Sequence, residues 1–145
     1  MTAYADQLNR VRRFLKRIET HDRSPVDYDD DLWSFFQNCW HLKDWIKHDS
    51  KIPQASRDGI SHDIWSSKHL LICADLANAT KHLQLTNVHA GAKHSHKNYR
   101  LRTGGPSSVE YFIDAGDGSK IDGLDLARRC IAEWEALLKK YGLPT

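Results

Sequence analysis

The chain has 145 residues, 40% of them hydrophobic and 28% charged, with a formal net charge of +2. That length suits one domain with a proper core, and the composition is that of a soluble globular chain. No apolar run approaches the roughly 18 to 20 residues a membrane span needs, no basic region followed by an apolar stretch opens the chain, and so small a net charge names no partner; the expected compartment is the cytoplasm.

The first element predicted is a helix carrying Tyr4, Leu8, Val11, Leu15 and Ile18 at alternating spacings of four and three. Arg10, Arg12, Arg13, Lys16 and Arg17 lie mainly beside that stripe, and Ser24-Pro25 marks the helix end or a point just beyond it. A second helix is expected to begin near Asp27 to Asp31, where carboxylates favour the positive end of the helix dipole. Its apolar stripe is Leu32, Phe35, Cys39, Leu42 and Ile46, and His41, Asp44 and His48 project to the opposite side. Trp33, Trp40 and Trp45 flank that outer side, which is unusual for a solvated face. They predict a helix covered both by its own bundle and by a second subunit.

Lys51 to Gly59, with Pro53 inside it, reads as a connection, and Ser61 as the N-cap of a third helix running to about Leu85. From Thr86 to Asp122 the helical period disappears. Tyr99, Leu101 and Thr103 alternate, as do Val109, Tyr111 and Ile113, with Gly104-Gly105-Pro106 between them, the pattern of a β-hairpin with a loose turn. Gly116 to Ser119 reads as a loop. The last helix is expected from about Ile121 to Gly123, with Leu124, Ala127, Ile131, Trp134, Leu138 and Tyr141 as its stripe and Gly142 and Pro144 as its stop. These elements predict an all-α fold: one four-helix bundle spanning residues 1–145, with a hairpin inserted at 86–122 before the last helix. The stripes of the first and last helices would serve equally as a dimer seam.

Cys39, Cys73 and Cys130 are an odd set with no CxxC spacing and read as packed, reduced thiols rather than as disulfide or zinc-knuckle ligands. The chemistry-bearing group is elsewhere. Asp75, Asn78 and His82 fall on one side of a helix, with Ile64, Leu71, Ile72 and Ala79. Polar groups on a face that reads as core imply a site or a structural hydrogen-bond network, because each costs a few kcal/mol unless it finds a partner. His82 suits general acid/base work, Asp75 its orientation, and Asn78 the positioning of a phosphate. His41 and Asp44 belong to the same or an apposed site. The same four acidic and histidine residues also fit a metal-dependent hydrolase, as an alternative.

No Asp or Glu lies between Asp75 and Glu110, and that interval holds Lys81, Lys93, Lys97, Arg100 and Arg102. With Tyr99, these residues form the candidate RNA-binding segment, cations for phosphates and a ring for a base. His89, His94 and His96 lie in the same stretch without a Cys partner.

The run Asn78-Ala79-Thr80-Lys81-His82 resembles the motif of the HEPN (higher eukaryote and prokaryote nucleotide-binding) superfamily: Arg, a polar residue, four to six residues, then His. Asn78 and His82 match its polar residue and its His, while Ala77 stands where the family has Arg. A literal match, Arg57 to His62, also occurs, but the many Arg and His of this chain make one expected by chance. The resemblance implies a helical bundle that dimerises across its site and cleaves RNA without a metal or other cofactor, in a toxin or antiphage system. The reading from another class is a non-catalytic helical interaction module, in which Asp75, Asn78 and His82 fix packing and the tryptophan-rich helix binds a partner protein.

Overall fold

The computed structural model describes residues 2–20, 25–81, 93–100 and 108–145. Within them the chain is mostly helical, with a small antiparallel sheet. No described helix is long and apolar enough to cross a membrane.

The first helix, α1 (Ala3–Glu19), buries Tyr4, Leu8, Val11 and Ile18 of the predicted stripe, with Leu15 only half-buried and Gln7 added. Its start is held from afar: the Tyr4 N–H donates to the Asp49 carboxylate at 3.2 Å, and the Tyr4 hydroxyl donates to the Pro144 carbonyl at 2.8 Å. The second, α2 (Pro25–His48), buries Leu32, Phe35, Phe36, Cys39, Trp40, Leu42 and Ile46. That face is wider than one stripe because α2 packs against three other helices introduced below as well as α1. Of the tryptophans on the side for which the sequence suggests a second subunit, Trp40 is buried and Trp33 half-buried within the chain, while Trp45, His41 and His48 stay exposed.

The third helical stretch departs from expectation. Lys51 to Gly59 is mostly helix, not connection: α3 spans Gln54–Asp63 and runs into a 3-10 turn at Ile64–Ser66. Ser61 is therefore a helix-interior residue, and α4 (Lys68–Lys81) is a separate helix beginning after an extended Ser67. Gly59 is tolerated within α3 because of what faces it. A Cβ there would lie 2.5 Å from the Tyr141 ring, so only glycine allows that approach.

The sheet has the order β1 (Lys93–Arg100), β2 (Ser108–Asp114), β3 (Lys120–Asp122). The β1–β2 pair is the predicted hairpin, with Tyr99 opposite Val109 and a bulge between His94 and His96. The short β3, opposite Phe112 to Asp114, has no counterpart in the sequence-based reading. Gly116 and Gly118 take φ of +87° and +86° to turn β2 into β3. The last helix, α5 (Gly123–Lys140), begins where expected, and the Asp122 carboxylate caps it by accepting from the Asp125 N–H. Its buried stripe includes Ala127, Cys130, Ile131, Trp134 and Leu138.

α2, α4 and α5 meet around the three cysteines, all buried and unpaired by disulfide, as the spacing predicts. The Cys73 thiol donates to the Phe36 carbonyl at 3.3 Å, the Cys130 thiol to the His69 carbonyl at 3.4 Å, and the Trp134 indole to the Cys39 carbonyl at 3.0 Å.

Candidate functional site

Asp75 is wholly buried on α4 and Asn78, one turn on, is half-buried. His82, the third member of the expected trio, lies outside the described residues. On α2, His41 is exposed and Asp44 half-buried. Among the described residues, His41, Asp44 and Asp75 form no cluster of metal-ligating atoms. Lys81 ends α4; Lys93, Lys97, Tyr99 and Arg100 lie on β1; Arg102 and His89 lie outside the described residues.

Asp44 does line a pocket of about 350 Å³ between α2 and the α3 end, with Trp40, Lys43, Lys47, Ser61, Ile64 and Trp65. Its carboxylate accepts from Lys43 Nζ at 2.8 Å, and that ammonium also lies 5.2 Å from the Trp40 ring centre. Trp40 and Trp65 meet edge to face at 6.4 Å, and Trp65 remains 54% exposed. One turn along α2, His48 Nδ1 lies 2.8 Å from the Asp44 carbonyl. Since a carbonyl only accepts, that nitrogen carries the proton.

A second constellation was not singled out from the sequence. Glu133 on α5 reaches the first turn of α4. Its Oε1 accepts from His69 Nδ1 at 2.6 Å and from the His69 N–H at 3.2 Å, and its Oε2 accepts from the Leu70 N–H at 3.0 Å. The carboxylate thus caps α4 from another helix and orients the imidazole at once. Because Nδ1 donates, Nε2 of the neutral ring holds the lone pair and is free for acid/base work. His69 lines a pocket of about 290 Å³ with Lys68, Ile72, Ser119, Lys120, Asp125 and Arg129 among its walls. One of the cations is engaged, with Arg129 Nε 3.0 Å from Asp125 Oδ2. The β2–β3 turn and β3 supply Ser119 and Lys120, so the site needs the sheet and both helices.

Within this arrangement an imidazole with a carboxylate behind it faces a pocket rimmed by cations. That suits an anionic substrate from which a proton is taken. Neither partner stands out in the chain: 64 residues separate them, and only the place of Glu133 beside the apolar stripe of the last helix hints at a tertiary role. Compared with protein-family models, with characterised proteins and with solved structures, the chain matches none.

Proposed function

We propose that the chain is an RNA-directed, HEPN-like protein that cleaves RNA without a metal ion, in the toxin or antiphage setting the resemblance implies, and that α1, α2, α4 and α5 serve as its four-helix bundle. The HEPN-like part of this reading rests on the Asn78–His82 resemblance alone; the observation that carries the metal-free chemistry is the Glu133–His69 pair, outside that motif, opening on a pocket with Lys68, Lys120 and Arg129. In this mechanism Nε2 of His69 takes the proton of a ribose 2′-hydroxyl. The 2′-oxygen attacks the adjacent phosphorus and the bond to the 5′-oxygen breaks; that oxygen takes a proton from water, and the hydroxide so formed takes back the proton held on Nε2 of His69. A 2′,3′-cyclic phosphate results. The cations stabilise the extra charge on the phosphorus oxygens. The basic residues of β1 hold the flanking strand.

His82 is the alternative acid/base, with Asn78 as the phosphate-orienting group and Asp75 as the orienting carboxylate. His69 and Lys81 are twelve residues apart on α4, about 18 Å along a helix, so one chain does not bring both ends of α4 to one phosphodiester. The exposed Trp45 and Trp65 favour a second reading, the interaction module.

The deciding experiment incubates the purified protein with structured and single-stranded RNA, with and without EDTA, beside His69→Ala and His82→Ala. The expected result is cleavage that survives EDTA and falls about 100-fold or more in His69→Ala. Loss in His82→Ala alone makes His82 the acid/base. Loss with EDTA supports the His/Asp metal hydrolase. No cleavage overturns the nuclease and leaves the interaction module.

A further inference from the structure

The three cysteines come from three different helices, and their sulfur atoms all lie within 4.8 Å of one another. Packing alone asks only that small apolar side chains fill the volume; it does not ask three sulfurs to converge. We propose that Cys39, Cys73 and Cys130 form a buried three-thiolate site for one thiolate-seeking d10 metal ion, Zn(II) or Cu(I).

The donor set decides the class of ion. Thiolates bind soft and borderline metals and are poor ligands for Mg(II), Ca(II) or Mn(II). With a metal–sulfur bond of about 2.3 Å, three sulfurs around one ion stand about 3.8 to 4.0 Å apart. The present separations reach that geometry by inward shifts well under an ångström. A disulfide instead needs two sulfurs at about 2.05 Å and leaves the third without a role.

Among the described residues no imidazole or carboxylate atom joins the three sulfurs at that distance. Three-coordination suits Cu(I), whereas Zn(II) takes a fourth ligand. Charge weighs the other way. Three thiols release three protons on binding, leaving a net charge of −1 around Zn(II) and −2 around Cu(I), and the larger charge is costlier to bury. The ion's role is structural: Cys130 is one turn from Glu133 on α5 and Cys73 one turn from His69 on α4, so a bound ion braces the start of α4 against the middle of α5, where the proposed dyad sits, in exchange for the thiol donations to the Phe36 and His69 carbonyls.

Complete burial means that the ion enters as the helices close. The test therefore unfolds the full chain under reductant and refolds it with Zn(II), with Cu(I), or with neither. Bound metal is measured by elemental analysis and the thermal transition recorded. The proposal expects about one ion per chain, a higher Tm in one metal arm, and a loss of affinity of about tenfold or more in Cys130→Ala. Because that variant also changes core packing, the readout is its Tm response to metal, not its Tm. Cys73→Ser keeps a similar volume and is expected to lose the response as well. The arm that binds names the ion. Refolded wild type that holds less than about a tenth of an equivalent in either arm, with no metal effect on Tm, overturns the site; so does a disulfide among the three sulfurs under native conditions.

Discussion

Glu133 makes two kinds of contact at once, and substitution separates them. Its carboxylate accepts two backbone N–H groups of α4 and one imidazole N–H. Glu133→Ala leaves those donors without their partner and is expected to cost about 1 to 3 kcal/mol in denaturant unfolding. Glu133→Gln keeps an accepting oxygen for the ring and backbone N–H groups but removes the carboxylate's charge and its second accepting oxygen. Stability is then expected to fall less, while RNA cleavage falls at least as far as in Glu133→Ala per unit of stability lost. Equal activity in Glu133→Gln and wild type would reduce the pair to a helix cap. Gly59 offers a second test at the same scale. Alanine gains about 1 kcal/mol of helix propensity, but its Cβ would meet the Tyr141 ring at 2.5 Å, and overpacking costs about 1 to 3 kcal/mol. Gly59→Ala is expected to lower Tm, and adding Tyr141→Ala to relieve most of that clash.

At the scale of elements, α3 is tied to the end of α5 by one carboxylate. Asp63 accepts from Lys140 Nζ and the Tyr141 hydroxyl, each at 2.6 Å, and lies 3.2 Å from His62 Nδ1. The Lys140 ammonium first, then the Tyr141 hydroxyl and His62, hold the Asp63 carboxyl well below the usual carboxylate range. Its folded value is depressed, so its contribution is present above the ordinary aspartate value of about 3.9 and is lost as pH falls through the folded value. Lys140 and Tyr141 are raised, chiefly by the same hydrogen bonds. Their contribution is complete below their ordinary values of about 10 and is lost as pH rises through the folded ones. Melting wild type and Asp63→Asn across pH is expected to show a variant that is less stable near neutral pH but flatter on both the acid and the alkaline limb. Parallel curves would mean that the tie adds nothing.

The helix boundaries here also mark where local pattern runs out. The stripes of α1, α2 and α5 are visible in the chain because their apolar spacing is local. The break between α3 and α4 is not: Ser67 leaves the helix where Glu133, far off in sequence, takes the N–H groups of His69 and Leu70. Gly59 within α3 likewise depends on the distant Tyr141.

For the molecule as a whole, the formal charge is only +2, so affinity for RNA would come from where the cations gather. Affinity for a labelled single strand is expected to fall steeply with salt, and Lys68→Ala and Lys120→Ala each to lower the slope of log affinity against log salt by about 0.7. Slopes that match wild type would place the strand away from this pocket.

By itself the sequence determined a mostly helical chain with a late hairpin, the core stripes, the reduced and buried cysteines, and the basic stretch on β1. Each of these follows from spacing, turn chemistry or composition within a short window. Only the tertiary structure decided that α4 starts at Lys68, that α2 packs against α1, α3, α4 and α5, that three thiols converge, and that Glu133 stands behind His69. Those contacts join residues that are distant in the chain, and the periodicity of one element carries no record of which side chain another will bring to it.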